Sequence, residues 1–335
     1  MTLAFERILV TGGCGFIGSN LVRFLRRERP DAHVVNLDAL TYAGNPANLA
    51  DLEDDPGYTF VHGDIRDRAV VERALDGCDA ILHLAAESHV DRSIVDSLPF
   101  VRTNVEGTQV LLDACRARAR AGDPVKRFLH VSTDEVYGQL PLDRPELLFT
   151  EDTPLAPSSP YSASKAASDM LVLAAHHTHG LPVVVTRCSN NFGPYQYPEK
   201  VIPLFVTNLM QGRTVPLYGD GRNVRDWLHV EDHCEALVAA AERGTDGRVY
   251  NIGGDNERSN LELTRSILEL MDLGEDRIER VADRPGHDLR YAIDARRMRE
   301  ELGWRPTRSA WPDALIATID WYRANPGWWE PLKRR

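Results

Sequence analysis

Lysine is scarce in this chain of 335 residues. Only four lysines, at positions 126, 165, 200 and 333, stand among its 39 basic residues, and the others are arginines. The compact ammonium of lysine titrates more readily than a guanidinium. A lysine that occurs beside other reactive residues in such an arginine-rich chain is therefore a candidate for a specific role.

Paired cysteines and long apolar runs are also missing. The five cysteines are widely spaced without a CxxC pair, which disfavours a metal site and favours reduced thiols in a cytoplasm. No run approaches the roughly 18 apolar residues of a spanning helix, and no leader precedes the strand-like segment 7–10. The net charge of −11 disfavours nucleic acid or an anionic membrane as main partner. We expect a cytoplasmic protein without metal, membrane or nucleic-acid partners.

The pattern of the first half predicts an α/β fold. Short β-branched runs alternate with segments whose apolar residues recur every three or four positions. This alternation is typical of a Rossmann-type, doubly wound parallel sheet. The predicted strands are 7–11, 34–38, 58–62, 80–84, 127–132 and 182–187, and the predicted helices are 17–29, 67–76, 99–120 and 160–179.

The pattern becomes looser after residue 187, and a length of 335 residues suits about two domains. We predict that residues 1–186 and 228–253 form the doubly wound domain, and that 187–227 and 254–335 form a smaller α/β lobe. The Trp328-Trp329 pair is interpreted as a packing anchor. Shorter helices are predicted over 201–211, 231–243, 259–271, 294–302 and 311–324.

A glycine-rich turn follows the first predicted strand. Gly12, Gly15 and Gly18 match GxxGxxG, and Asp38 ends the second strand 20 residues after the last glycine. Such glycines let backbone amides approach a pyrophosphate at a helix N-terminus, and the carboxylate accepts ribose hydroxyls and repels a 2′-phosphate. We therefore predict an NAD site. Two further strand ends would lie in the same crevice, at Asp64-Ile65 and Leu84-Ala85-Ala86.

Tyr161 and Lys165 stand four residues apart, on one face of a predicted helix. A tyrosine is a base near neutral pH only if nearby cations favour its phenolate, as Lys165 and an oxidised nicotinamide would. The hydroxyl of Thr133, at the end of the preceding strand, could bind the same substrate oxygen. The alternative interpretation is a solvated helix face, because YxxxK is common on such helices.

Taken together, these residues resemble the extended short-chain dehydrogenase/reductase family of nucleotide-sugar enzymes. More narrowly, four blocks are similar to those of the dTDP-glucose 4,6-dehydratases: AAESHVDRS (85–93), STDEVYG (132–138), SNNFGPYQ (189–196) and RDWLHVED (225–232). The resemblance runs from residue 7 to about residue 291. It implies a tightly bound NAD that is recycled in each turnover, a small-molecule nucleotide sugar as substrate, and a homodimer through helices near 100–118 and 161–178.

The adjacent carboxyl groups of Asp134 and Glu135 are typical of the dehydratases. Loss of water across C5–C6 of a sugar needs a base for the C5 proton and an acid for the C6 hydroxyl, which two carboxyl groups with separated pKa values supply. By resemblance Asp134 is the acid and Glu135 the base, alongside Thr133, Tyr161 and Lys165. The implied reaction converts dTDP-glucose to dTDP-4-keto-6-deoxyglucose by C4 oxidation, elimination and hydride return to C6.

The resemblance also implies two binding pockets. Cationic groups suit the diphosphate of the substrate, because their hydrogen bonds to it are charge-assisted. The implied NAD pocket comprises Gly12, Gly15, Phe16, Ile17, Gly18, Asp38, Leu40, Thr41, Asp64, Ile65, Leu84, Ala85, Ala86, Thr103, Tyr161, Lys165 and Asn191. The implied substrate pocket comprises Ser88, Thr133, Asn190, Lys200, Val201, Pro216, Tyr218, Arg225, Asn260, Arg284 and His287.

Alternative functions stay open on the same residues. A dehydratase for another nucleotide sugar would carry the same catalytic groups. A 4-epimerase or a decarboxylase would not need the Asp134-Glu135 pair, and a non-enzymatic dinucleotide sensor would not need Tyr161 and Lys165 as a base. The sequence leaves the nucleotide base and the biosynthetic pathway undecided.

Overall fold

A parallel β-sheet forms the centre of the computed structural model, which describes residues 4–283 and 286–334. Seven of the described strands pair in the order β10-β6-β5-β4-β1-β2-β3, and all of these pairs are parallel. The predicted fold class is confirmed. These strands are β1 (Arg7–Thr11), β2 (His33–Asp38), β3 (Tyr58–His62), β4 (Ala80–His83), β5 (Arg127–Thr133), β6 (Val183–Cys188) and β10 (Val249–Ile252).

Helices cover both faces of this sheet, because apolar side chains alternate between two cores. On one face α1 (Phe16–Glu28), α8 (Val230–Arg243) and α10 (Arg296–Leu302) enclose a core that includes Leu21 and Leu237. On the other face α2 (Arg68–Leu75), α5 (Gly107–Arg120) and α6 (Pro160–His179) enclose the second core. A sheet covered in this way explains the near-continuous apolar strands.

The predicted helix over 99–120 has an irregular start. The short helices α3 (Val90–Val95) and α4 (Leu98–Phe100) lead into a π-helical segment over Val101–Glu106, and α5 follows without a break. Such π segments are frequent at functional sites. Within it, Asn104 bonds to the backbone of Glu87 through both amide atoms and to the Ser164 hydroxyl, so the segment joins the loop after β4 to α6.

A smaller lobe lies beyond β6. Its strands are β7 (Asn190–Phe192), β8 (Val215–Tyr218), β9 (Val224–His229), β11 (Glu257–Ser259) and β12 (Ile278–Val281), which form the groups β11-β9-β7 and β12-β8. Its helices are α7 (Val201–Met210), α9 (Asn260–Leu270), α11 (Asp313–Ala324) and α12 (Pro326–Trp329). Phe192, Trp227, Tyr322 and Trp329 are buried in one core there.

The chain crosses between the two parts more often than the predicted division implies. The boundary at residue 228 falls inside β9, and α10, expected in the lobe, packs on the sheet instead. Met298 and Leu302 on α10 share the apolar core of α8, and this burial holds the helix on the sheet. The rest of the division stays a prediction. Among the described helices, none combines the length and the apolar character needed to cross a membrane.

Candidate active site

A cleft with a cavity of about 430 Å³ lies at the carboxyl edge of the parallel sheet. Strand ends that are distant in sequence converge there, as expected for ligand sites of open α/β sheets. All five predicted catalytic residues line the cavity, namely Thr133, Asp134, Glu135, Tyr161 and Lys165. So do all the predicted cofactor residues except Leu40, and four of the predicted substrate residues, namely Ser88, Thr133, Asn190 and Lys200.

The glycine turn leaves room for a diphosphate at the start of α1. Gly12 has a φ of +74°, and a Cβ there would lie 2.8 Å from the Ala85 backbone. A Cβ at Gly18 would overlap the Gly12 carbonyl oxygen. Gly15 precedes α1, no described side chain caps that helix, and its first N–H groups have no helical partner. The turn therefore fits a pyrophosphate.

Asp38 lies in the cleft at the end of β2 with its carboxylate fixed by the backbone. Its two oxygens accept the Cys14 N–H at 2.9 Å and the Leu40 N–H at 2.7 Å. Leu40, a predicted cofactor residue, does not line the cavity and is linked to it by this backbone hydrogen bond to Asp38. Burial raises the Asp38 pKa and these two bonds lower it. A carboxylate in this place suits ribose hydroxyls and disfavours a 2′-phosphate.

Tyr161 and Lys165 project from the first turns of α6. Ser159 caps this helix in a reciprocal capping box with Ser162, and Pro160 follows the cap, so the helix start is well defined. The Lys165 ammonium donates to the Val131 carbonyl at 2.8 Å. Burial lowers the pKa of Lys165 to about 8, and the Asp169 carboxylate opposes that shift.

The surroundings of the Tyr161 phenol favour its neutral form in the structure. Burial raises the Tyr161 pKa well above its usual value, the negative charge of Glu135 adds to that rise, and a hydrogen bond with Thr133 opposes it. The phenol is therefore protonated here. A phenolate requires a further positive charge next to the ring, because burial without a charged partner favours the neutral form.

A buried ion pair lies behind Lys165. Asp169 accepts the Arg187 guanidinium at 2.8 Å, and Arg187 also donates to the Tyr137 hydroxyl at 3.0 Å. The pKa of His130, buried beside Asp169, is lowered to about 4 by burial and by Lys165, so the imidazole is neutral. Asp169 and Arg187 balance each other, which leaves the ammonium of Lys165 as the positive charge nearest the cleft in this group.

Asp134 and Glu135 follow β5 and differ in burial. Thr133 caps the short turn after the strand, and its hydroxyl accepts the Glu135 N–H at 3.3 Å. Asp134 is 2% exposed, and its Oδ2 has no hydrogen-bond partner among the described residues. Burial, Glu135 and Asp226 raise the Asp134 pKa well above its usual value. Glu135 is half-buried. The raised pKa of Asp134 favours its protonated form, so Asp134 can serve as the acid and the more exposed Glu135 as the base.

The other predicted substrate residues lie beyond the cavity. Arg225 lies over the Tyr291 ring at 4.1 Å and donates to the Asp288 carbonyl at 2.9 Å. Its positive charge opposes the rise of the Asp134 pKa. The rings of Tyr218 and His287 meet at 6.0 Å. Pro216 is on β8, Val201 begins α7 and Asn260 begins α9. Arg284 lies outside the described residues.

Several cavity residues were missed by the sequence analysis. Tyr195 belongs to the SNNFGPYQ block, which could have indicated it as a site residue, whereas no sequence pattern marks Asn48. Both side chains of the Trp328-Trp329 pair pack against the lobe core, as the interpretation of a packing anchor predicts. Trp329 is 2% exposed within the lobe core, but Trp328 lines the cleft. The two neighbouring side chains leave the helix in different directions, which sequence alone does not indicate.

Comparison with known proteins gives consistent matches over nearly the whole chain. The model of the GDP-mannose 4,6 dehydratase family matches residues 9–311. A dTDP-glucose 4,6-dehydratase of Streptomyces niveus is 55% identical over 331 residues, which cover 98% of this chain and 96% of that protein.

Solved structures separate two kinds of neighbour. DesIV, a dTDP-glucose 4,6-dehydratase from Streptomyces venezuelae solved with NAD bound, is 52% identical with a TM-score of 0.92, covering 97% of this chain and 99% of DesIV. A UDP-glucose 4-epimerase of Thermus thermophilus, also with NAD, is 30% identical with a TM-score of 0.85, covering 95% and 99%. The fold is shared by both, whereas the sequence is nearer to the dehydratase.

The environment of Lys165 predicts a pH-dependent stability. Its pKa is about 8 when folded and 10.5 in its usual state, so the unfolded chain binds more protons between these values and stability rises with pH there. We expect the unfolding free energy of the wild type to gain roughly 1–2 kcal/mol relative to Lys165→Met between pH 8 and 9.5. Urea unfolding at several pH values measures this difference. Parallel pH profiles of the two proteins would contradict the assigned environment.

Proposed function

The chain belongs to the GDP-mannose 4,6 dehydratase family, and we propose that it is an NAD-dependent dTDP-glucose 4,6-dehydratase. The resemblance inferred from the sequence blocks is confirmed, because the similar proteins are dTDP-glucose 4,6-dehydratases. The observation that carries the proposal is the buried Asp134 carboxyl beside Glu135, in one cavity with Tyr161. A 4-epimerase needs the tyrosine-centred redox step alone, whereas elimination of water needs an acid and a base as well.

The residues at the carboxyl edge of the sheet suit NAD. The glycine turn would take the diphosphate and Asp38 the adenosine ribose, and Tyr161 with Lys165 would lie on the nicotinamide side of the cleft. When bound, NAD supplies a hydride acceptor at the oxidation step and returns the same hydride later, so turnover leaves it unchanged.

The protein's own groups would move three protons. With the positive charge of bound NAD favouring its phenolate, Tyr161 would take the proton of the C4 hydroxyl while Thr133 holds that oxygen, and the resulting 4-keto group makes the C5 proton acidic. Glu135 removes the C5 proton, and Asp134 protonates the C6 oxygen as it leaves as water. Return of the hydride to C6 would be completed by a proton that C5 takes from solvent. The substrate therefore becomes dTDP-4-keto-6-deoxyglucose and water without net oxidation.

The anchor for the nucleotide would come from cationic groups near the cleft. The Lys200 ammonium donates to the Ser88 carbonyl at 3.5 Å, and the Arg225 guanidinium lowers the pKa of Asp134. Two of the four lysines thereby gain a role, Lys165 near the tyrosine and Lys200 near the substrate. A supply of a 6-deoxysugar precursor in the cytoplasm is part of this proposal, and five free, buried thiols suit such a reducing compartment.

Incubation with dTDP-glucose in D₂O tests the reaction. We expect a 4-keto-6-deoxy product that carries deuterium at C5, because solvent supplies the proton that returns to this carbon. Mass spectrometry and NMR detect both features. A C4 epimer, or no conversion, would refute the proposal. UDP-, CDP- and GDP-glucose serve as parallel substrates, and faster turnover of one of them would reassign the nucleotide base.

Two sets of variants separate the proposed roles. Tyr161→Phe removes the base of the first oxidation and is expected to slow the formation of reduced nicotinamide by about 10²–10⁴-fold. Asp134→Asn combined with Glu135→Gln leaves Tyr161 in place, so reduced nicotinamide forms and then accumulates because elimination is blocked. Single-turnover absorbance measurements follow the cofactor. Undiminished oxidation in Tyr161→Phe, or normal product release in the double variant, would contradict these assignments.

A homodimer is also part of the proposal. Apolar side chains that are unusually exposed cluster on α3, α4, the π segment and α6, which contact one another. Val95 is 89% exposed, and Ile94, Leu98, Val101 and Met170 are between 46% and 51% exposed. Such a patch marks an interaction site, and a second copy of the same chain can cover it by twofold symmetry.

A charge on this patch should separate the subunits. Val95→Asp introduces two carboxylates into a twofold interface. We therefore expect the dimer dissociation constant to rise at least about tenfold above that of the wild type. Analytical ultracentrifugation over a range of concentrations measures the equilibrium. Ile316→Asp, at a 38% exposed apolar residue of α11, is the control and should stay dimeric. A monomeric wild type, or an unchanged Val95→Asp dimer, would refute the interface.

A further inference from the structure

The cleft is crossed near its glycine turn by side chains from the smaller lobe. Tyr195 and Tyr197, in the loop after β7, and Trp328, in the terminal helix α12, line the cavity beside Asn48. These residues are far from Gly12 and Gly15 in sequence but border the same space. None of them was among the predicted cofactor residues.

Trp328 is connected to the glycine turn through a single residue. Its indole Nε1 donates to the Asn48 Oδ1 at 2.8 Å, and the Asn48 Nδ2 donates to the Cys14 carbonyl at 2.9 Å. Asn48 is 2% exposed. Its side-chain amide is thus satisfied on both sides, so the indole is tied to the loop that surrounds the start of α1. We call the Trp328–Asn48 hydrogen bond the latch.

Aromatic packing holds Trp328 from its other side. Its ring lies 5.1 Å from that of Trp321 and 5.6 Å from that of Tyr195, both edge to face. Tyr195 in turn lies under the Arg23 guanidinium of α1 at 4.3 Å. A second hydrogen bond links the same loop to α1, from the Asn20 Nδ2 to the Pro194 carbonyl at 3.0 Å. The smaller lobe therefore contacts both the glycine turn and the first turns of α1.

The adjacent tryptophan has a different position. Trp329 is buried in the lobe core, and its indole N–H donates to the Tyr322 carbonyl at 2.9 Å. Both indoles make one hydrogen bond of nearly equal length, but only that of Trp328 borders the cleft. The chain thus supplies a matched pair for experiment.

We propose that Trp328 and Asn48 retain NAD by holding the smaller lobe closed over the glycine turn. The inference rests on the proposed NAD-dependent function. A cycle that stores a hydride and then returns it to the same substrate gains nothing from cofactor exchange, and loss of the reduced cofactor would leave a 4-keto intermediate without its hydride. The latch would therefore slow cofactor release, and opening it would require the Trp328–Asn48 bond to break.

Removal of the indole N–H tests the latch. Trp328→Phe keeps an aromatic ring but loses the donor to Asn48, so we expect NAD to be released roughly three- to tenfold faster, the range for one hydrogen bond. Release is measured on the purified holoenzyme by trapping free NAD with alcohol dehydrogenase and ethanol. On dilution, the variant should lose activity and regain it when NAD is added.

Trp329→Phe is the matched control and should release NAD at the wild-type rate. Trp304→Phe replaces it if Trp329→Phe does not fold, because Trp304 is buried, does not line the cleft, and its Nε1 has no partner among the described residues. Equal acceleration in Trp328→Phe and Trp329→Phe would show general loosening of the terminal segment and overturn the proposal. So would a wild-type rate in Trp328→Phe.

A double-mutant cycle tests whether the two residues act together. If NAD retention depends on the Trp328–Asn48 hydrogen bond, Trp328→Phe has no further effect on NAD release in an Asn48→Ala background. Additive acceleration would contradict it. These outcomes are distinct from those of the proposed function. Normal conversion of dTDP-glucose with unchanged release in Trp328→Phe refutes the latch alone, whereas accelerated release in a protein that binds NAD without converting the sugar refutes the dehydratase alone.

Discussion

Parallel pairing of the strands is the constraint on which the site depends. Because the seven paired strands run in one direction, their carboxyl ends meet at one edge, although they are spread from Thr11 to Ile252. That edge collects the glycine turn after β1, Asp38 at the end of β2 and Thr133 at the end of β5. Helices on both faces bury the sheet, so the ends can hold polar groups while the middle stays apolar.

Burial at this edge distinguishes Asp134 from Glu135, two carboxyl groups that would ionise alike in water. Removal from solvent favours the neutral form of each group, which raises the Asp134 pKa and lowers that of Lys165. Glu135, one residue further, stays half-buried. The same chemical pair of carboxyl groups can thereby act as acid and base. Nearby charges refine the result, since Arg225 opposes the shift of Asp134 and Asp169 opposes that of Lys165.

The smaller lobe also contacts the start of α1 and the glycine turn. Its loop after β7 and its terminal helix contact α1 and the glycine turn, through Asn20–Pro194 and Trp328–Asn48. In the proposed cycle the cofactor begins and ends each turnover oxidised, so slow exchange is compatible with rapid catalysis. Closure of the cleft by the lobe would thus link substrate handling and cofactor retention in one structure.

Local sequence patterns predicted the main elements, and most of the predicted catalytic and cofactor residues line one cavity. The period of apolar residues placed β3 and α6 at their observed bounds, and the glycine turn, Asp38, Tyr161 and Lys165 were found because each belongs to a short motif with fixed geometry. The tertiary structure alone decided the placement of α10 on the sheet, the raised pKa values of Tyr161 and Asp134, and the different surroundings of Trp328 and Trp329. Those properties depend on burial and on contacts between residues distant in sequence, such as Trp328 and Asn48, which no local pattern encodes.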